Sequence, residues 1–296
     1  MSVSTAQSAS RTWLYLKLYP GRLDLLDAVA TDVVGPFVTQ HRVEWSRWFF
    51  LRYHDASGPH VRLRMSLEPD AADAIALEAS DLAARFGDLR ALRAADLNVP
   101  GMLAPPGGAA ATFDSDVVVD LYEPEWTKWG GPAYLPVAEH MFEHSSVAAL
   151  DLIDVTRRGW QDRLAVAVAI IDDSLDRVGL LGDDRARFLD EHFRWWSGGA
   201  SLTDPRRRAL DGVVEAIAGQ VRTRRGVHAK RGDCTDPIGD FTRALATTLT
   251  ISNPEQKPAY LLFHHLHLML NRVGVSPHEE ALVSLLVARD PQFAST

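Results

Sequence analysis

The chain has 296 residues, 46% hydrophobic and 24% charged, a composition that excludes collagen-like, low-complexity and wholly disordered chains. Its formal net charge of -8 opposes a phosphate backbone, so direct nucleic-acid binding is not expected. A single cysteine, Cys234, excludes an intramolecular disulfide and a multi-cysteine metal site and points to the reducing cytoplasm.

Residues 1–11 read as a disordered tail, because Met1 to Ser10 are small and polar and lack the basic flank and apolar centre of an export signal. No apolar run approaches the about 18 residues of a membrane span. Trp13 to Tyr19 alternates, with Leu14, Leu16 and Leu18 on one side, the period of a half-buried strand that Pro20 and Gly21 end. Asp24 to Val38 carries apolar residues at helical spacing and is interrupted near Gly35 and Pro36.

Arg47 to Arg64 reads as a β-hairpin, two aromatic or β-branched runs around the turn cluster Asp55 to Pro59. In its first arm Phe50, Arg52 and His54 share a face; in its second arm His60, Arg62 and Arg64 do. One hairpin face is therefore expected to be cationic and imidazole-rich. Pro69 to Phe86 predicts a helix, Pro100 to Ala111 a loop, and Asp116 to Tyr122 a further strand. Helices follow at about 136–156, 161–179, 184–197, 205–224, 236–251, 257–273 and 277–289, the last opened by a capping box of Ser276 and Glu279 with Pro277 at its first position. Strands with interspersed helices and then a helical run predict an α+β fold: an N-terminal mixed or antiparallel sheet with a hairpin and helices, followed by a mainly helical half. Neither glycine-rich phosphate loop pattern occurs.

Four constellations carry chemistry. His140-Met141-Phe142-Glu143-His144 matches the H-x-x-E-H string of inverted zinc peptidases, but a five-residue match with two wildcards is weak and lacks a third ligand, an amphipathic helix with a solvent-facing His/Glu surface is the better account, and no metal is expected. His264, His265 and His267 lie on one helix, where Asn271 follows His267 at i+4 and suits holding its imidazole in one tautomer, as a general base requires. The face of His60, Arg62 and Arg64 is either a solvated strand surface or a rigid clamp for carboxylates. Tyr122 to Pro132 joins a strand end to a helix through Gly130-Gly131, with Trp126 and Trp129 about Lys128; it is either a packed turn or a wall that ligand backbone approaches.

Three of these segments, Trp48 to Arg64, Tyr122 to Gly131 and His267 to Arg272, together resemble in order and spacing the C-terminal domain of lantibiotic dehydratases, also called the thiopeptide-type bacteriocin biosynthesis domain. The resemblance implies one domain over 12–292. It implies an enzyme without cofactor that removes glutamate from glutamylated Ser or Thr of a ribosomally synthesised precursor peptide, leaving dehydroalanine or dehydrobutyrine. No room remains for the glutamylating module, so a freestanding elimination subunit with a separate glutamyl-tRNA-dependent partner is expected. Carried over onto this chain, His267 is the base or proton shuttle, and Arg62, Arg64 and Lys128 hold the anionic groups. Arg52, His60, Tyr122, Trp129, Asn271 and Arg272 are the expected substrate contacts. Lys128 departs from the family, which usually has arginine there, in a chain whose 31 basic residues include only four lysines. That departure raises an alternative from a related branch, a pyridine synthase that joins two dehydroalanines by formal [4+2] cycloaddition. A non-catalytic subunit that binds the precursor peptide is a third reading.

Overall fold

The computed structural model describes residues 11–94, 114–157, 160–199 and 236–289, together with 214, 215 and 218. Residues 1–10 of the expected 1–11 tail, the loop at 100–111 and nearly all of the helix at 205–224 lie outside the described residues. The chain forms two compact units, 1–124 and 125–296.

The first unit is built on a four-stranded antiparallel sheet of order β2-β3-β1-β4, with β1 at Thr12–Tyr19, β2 at Trp45–Asp55, β3 at Gly58–Leu67 and β4 at Asp116–Asp120. The two-residue turn Ala56-Ser57 closes the hairpin. Gly58 takes φ 112, a conformation that L side chains rarely adopt, and Ser57 N donates to Asp55 Oδ1 at 2.9 Å. That turn fixes the register: Tyr53 opposes His60, Leu51 opposes Arg62 and Phe49 opposes Arg64. Alternation then divides the sheet into an aliphatic face with Leu14, Leu16, Leu18, Val61, Leu63 and Met65, all buried, and a face carrying Tyr15, Lys17, Tyr19, His60, Arg62 and Arg64.

Helical segments lie on the aliphatic side. The first, α1 (residues 23–40), passes from a 3-10 turn at Leu23–Leu25 through α and π turns to a closing α segment at Gly35–Gln40. Pro36 does not end it, because it falls in the first turn of that closing segment, where a missing N–H costs little. The helix expected over Pro69 to Phe86 is instead two, α2 at Pro69–Ala79 and α3 at Leu82–Ala94. The break falls at Ser80-Asp81, residue types that favour caps and turns over helix interiors.

The second unit is helical: α4 at Leu135–Thr156, α5 at Trp160–Arg177, α6 at Gly182–Trp196, α7 at Pro237–Ile251, α8 at Pro258–Val273 and α9 at Pro277–Arg289. These bounds agree with the periodicity to within about two residues, the usual spread of helix ends. α8 ends at Gly274, whose φ of 84 permits the paired closing bonds Gly274 N to Asn271 O (3.0 Å) and Val275 N to Leu270 O (2.9 Å). The capping box then opens α9: Ser276 N donates to Glu279 Oε2 at 2.6 Å and Glu279 N to Ser276 Oγ at 3.4 Å. α9 packs against α6 and α5, and α4 against α7 and α8. The buried Arg185 on α6 binds Asp172 and Asp176 of α5. Among the described residues no helix is long and apolar enough to cross a membrane.

Candidate functional site

In the first unit the polar sheet face is ordered from its buried histidine outward. His60 is fully buried, and its Nδ1 donates to Gly58 O at 3.1 Å, so its Nε2 lone pair accepts from Arg62 Nε at 3.2 Å. Burial pushes the His60 pKa down, consistent with that neutral tautomer. The Arg62 guanidinium lies 3.4 Å from the Tyr53 ring centroid, a stacked cation–π contact across the hairpin. Tyr19 donates to Asp55 Oδ2 at 2.9 Å beside His60, and burial together with that bond raises its pKa.

Arg64 sits in an aromatic cage, 4.4 Å from the Tyr15 centroid, 4.9 Å from Tyr122 and 5.4 Å from Phe49. Tyr122 is wedged edge-on between Trp13 (5.0 Å) and Phe49 (5.9 Å). Lys17 pairs with Asp120 at 2.5 Å on the same face. Arg52 is placed apart from these cations. The register sets it opposite Val61 on the aliphatic side, where it pairs with Asp27 of α1 at 2.5 Å.

In the second unit the turn after Glu125 is tightly built. Gly131 N donates to Trp126 O at 2.8 Å, and Gly130 and Gly131 have φ 88 and 96. A Cβ on Gly130 would lie 2.6 Å from Asn253 Cβ, so only glycine fits this approach. The segment between α7 and α8 grips the turn through Asn253 Nδ2 donating to Gly130 O (3.1 Å) and Gln256 Nε2 donating to Thr127 O (2.9 Å). Trp129 is buried between Phe142 (4.9 Å) and His265 (4.7 Å), while Lys128 Nζ lies 3.2 Å from Glu125 Oε2 and 5.3 Å from the Trp129 centroid.

The three histidines of α8 then separate by surroundings. His265 is buried, and desolvation pushes its pKa down to about 3. His264 packs edge-on against Tyr260 at 4.3 Å; desolvation and then the charge of Lys128 push it down to about 4. His267 keeps 24% side-chain exposure and stacks on Trp196 of α6 at 4.5 Å. Its Nδ1 is hydrogen-bonded to Glu280 Oε1 at 2.7 Å, and Glu280 is wholly buried. Burial, then Lys128 and Arg272, hold the His267 imidazole well below its usual pKa, and burial holds the Glu280 carboxyl well above its own. The charge of Lys128 bears on both His264 and His267.

Of the other expected contacts, Arg272 is fully buried, with Nε donating to Ser146 Oγ at 3.0 Å and its guanidinium 5.8 Å from the Phe142 centroid. Asn271 lies in the last turn of α8, and its carbonyl accepts from the Gly274 N–H. The H-x-x-E-H string lies on α4 with His140 and His144 exposed and their Nε2 atoms 3.2 Å apart. Among the described residues no group of three or more His, Cys, Asp or Glu side chains is arranged to hold a metal.

The sequence reading passes over Glu280, Ser284 and His192, which form the interior behind His267. Their signal is visible in retrospect. His192 interrupts the apolar stripe Phe188, Leu189, Phe193 of α6, and Glu280 and Ser284 interrupt the stripe Ala281, Val283, Val287 of α9. A polar residue inside a buried stripe needs a partner across the interface.

Comparison with known proteins bears on both units. The model of the family described as lantibiotic biosynthesis dehydratase C-term matches residues 13–289. A search of curated proteins finds no match. Among solved structures, the tRNA-dependent lantibiotic dehydratase MibB from Microbispora sp. 107891 is similar at 21% identity and a TM-score of 0.56, over 97% of this chain and 28% of that one. The chain thus spans little more than a quarter of the length of MibB. TbtD, the pyridine synthase from thiomuracin biosynthesis, is similar at 18% identity and a TM-score of 0.63, over 94% of this chain and 97% of that one. TsrL is similar at 15% identity and a TM-score of 0.60, over 95% and 93% of the two chains. At these identities the structural likenesses establish the fold, and the family match, covering both units, establishes that the chain belongs to the lantibiotic biosynthesis dehydratase C-terminal family.

Proposed function

We propose that this protein eliminates glutamate from glutamylated Ser or Thr of a ribosomally made precursor peptide, leaving dehydroalanine or dehydrobutyrine. Family membership supports the pathway, and one observation supports the reaction: a partly exposed imidazole, His267, anchored through Nδ1 to the buried Glu280. A base held through one nitrogen offers the other to substrate in a fixed direction. In the reaction, His267 Nε2 takes the Cα proton and the C–H electron pair becomes the Cα=Cβ bond. The Cβ–O ester bond breaks, and glutamate leaves as a carboxylate with that bond's electron pair.

Charge develops on the peptide carbonyl and on the departing carboxylate. The forked donors of Arg62 and Arg64, and the ammonium of Lys128, are the cations assigned to them. Arg52, His60 and Arg272, bonded to Asp27, Gly58 and Ser146, and Trp129, buried between Phe142 and His265, serve the frame, and Tyr122 and Asn271 are the proposed peptide contacts. The proposal needs a separate protein that supplies the glutamyl ester from glutamyl-tRNA, treats 12–292 as one working domain, uses no cofactor and places the reaction in the cytoplasm. Lys128, a point charge shared with Glu125 where the family usually has arginine, favours pyridine formation as the second reading.

Offering the purified protein a glutamylated peptide and, separately, a dehydroalanine-bearing peptide, with mass spectrometry of each, separates the readings. Loss of glutamate from the first supports elimination. Macrocycle formation from the second alone replaces it with cyclisation, and binding of both without a product leaves a peptide-presenting subunit.

A further inference from the structure

Behind His267 the structure holds a buried chain of polar groups from α9 and α6. Ser284 Oγ donates its single proton to Glu280 O at 3.0 Å. The same oxygen lies 2.7 Å from His192 Nδ1; with its proton given to Glu280 O it accepts there, the assignment that makes both contacts hydrogen bonds, and His192 then carries its proton on Nδ1. The lone pair of His192 Nε2 therefore faces Glu280 Oε2, 3.7 Å away. His192 and Glu280 are both wholly buried, and among the described residues neither of these two atoms has a hydrogen-bond partner. Two lone pairs facing across this buried gap repel, and a bare carboxylate oxygen there would also be an uncompensated charge. One proton on Oε2, aimed at His192 Nε2, removes both penalties. Oε1 is then the carbonyl oxygen of a neutral acid and accepts from His267 Nδ1 at 2.7 Å.

We infer that Glu280 works as a protonated carboxylic acid, oriented by His192 and Ser284, and that it sets His267 in the tautomer with hydrogen on Nδ1 and the basic lone pair on Nε2. The three are positioning residues that act through His267. The raised pKa of Glu280 and the lowered pKa of His192, both caused by burial, agree with a neutral acid facing a neutral imidazole. The inference deepens the proposed elimination, since that reading needs Nε2 as the base, but the tautomer is a property of the protein alone and is read without substrate.

The test is two-bond proton–nitrogen correlation NMR of the full chain labelled with 15N-histidine, His267 being identified by the signals missing from His267→Gln. The expected spectrum has a protonated, pyrrole-type Nδ1 and an unprotonated, pyridine-type Nε2 for His267. Glu280→Gln, whose amide offers an acceptor and a donor in the same two directions, is expected to keep that pattern, and Glu280→Leu to lose it to a mixture. A protonated Nε2 on His267 in the unmutated protein at pH 7 overturns the inference, whatever the variants do. The expected tautomer in a protein that leaves glutamylated peptide intact contradicts the elimination reading and leaves this inference standing.

Discussion

His267 Nδ1 and Glu280 Oε1 are 2.7 Å apart, a hydrogen bond between the exposed edge of α8 and the buried face of α9. The two residues are joined through the Gly274 closure of one helix and the Ser276 cap of the next. That short connection holds the imidazole in place from behind while its outer edge stays accessible.

The base is expected to work in unusually acid conditions. Desolvation, then Lys128 and Arg272, hold His267 at about 4, so the neutral, proton-accepting imidazole persists well below its ordinary pKa of about 6.5. The acid limb of kcat/KM against pH should accordingly fall below 6. Lys128→Met removes one of the two positive charges and should move that limb upward; a limb at the ordinary histidine value, unmoved by the substitution, contradicts the assignment of these charges to the site.

Arg62 and Arg64 should differ from lysine in kind. Arg62 uses Nε to bind His60 Nε2 while its plane lies over Tyr53, and a single ammonium has no planar fork to combine the two with a bidentate grip on a carboxylate. Arg62→Lys and Arg64→Gln are each expected to lower kcat/KM for a glutamylated peptide by about 10²–10³, the usual cost of one donor to a developing anion. Full activity in both would remove the sheet face from the mechanism.

Some of this was legible in the residues and some was not. His267 stood out because it lies in a motif with Asn271 and Arg272, and the helix bounds followed from periodicity and caps. Glu280 did not, because its partner lies on the preceding helix and only tertiary packing makes the pair. The hairpin shows the same boundary differently. Alternation within each arm grouped Arg62 with Arg64 and Arg52 with Phe50, but which faces coincide depends on register, and the two-residue turn sets Arg52 opposite Val61 and turns it toward Asp27.

Stability should pass through a maximum near neutrality. His192 and His265 at about 3, and His264 and His267 at about 4, all lie below the unfolded value of about 6.5. Between these limits the unfolded chain binds more protons, so these four groups lose stability as pH falls from about 6.5 toward 4. Glu280 has the opposite sign: held at about 10 in the folded chain and about 4.3 when unfolded, it loses stability as pH rises through that window. Thermal melts should give the highest Tm between about pH 6 and 7, with a steeper fall on the acid side, where these four histidines and the likewise lowered His60 oppose one carboxyl; a Tm that rises on acidification to pH 5 contradicts this.

Gly130 should tolerate no side chain. Its φ of 88 and the 2.6 Å approach of a Cβ to Asn253 predict that Gly130→Ala destabilises by about 1–3 kcal/mol and loosens the Lys128 turn. Denaturant unfolding checks the magnitude, and an unchanged midpoint would mean that the turn yields without strain.

The central claim, elimination with His267 as base, is tested most directly by incubating one glutamylated peptide with the unmutated protein and with His267→Ala and following its mass. The expected result is loss of glutamate with the unmutated protein and accumulation of intact glutamylated peptide with the variant, at a rate lower by about 10²–10⁴ and with unchanged far-ultraviolet circular dichroism. Equal loss of glutamate from both, or none from either, contradicts it.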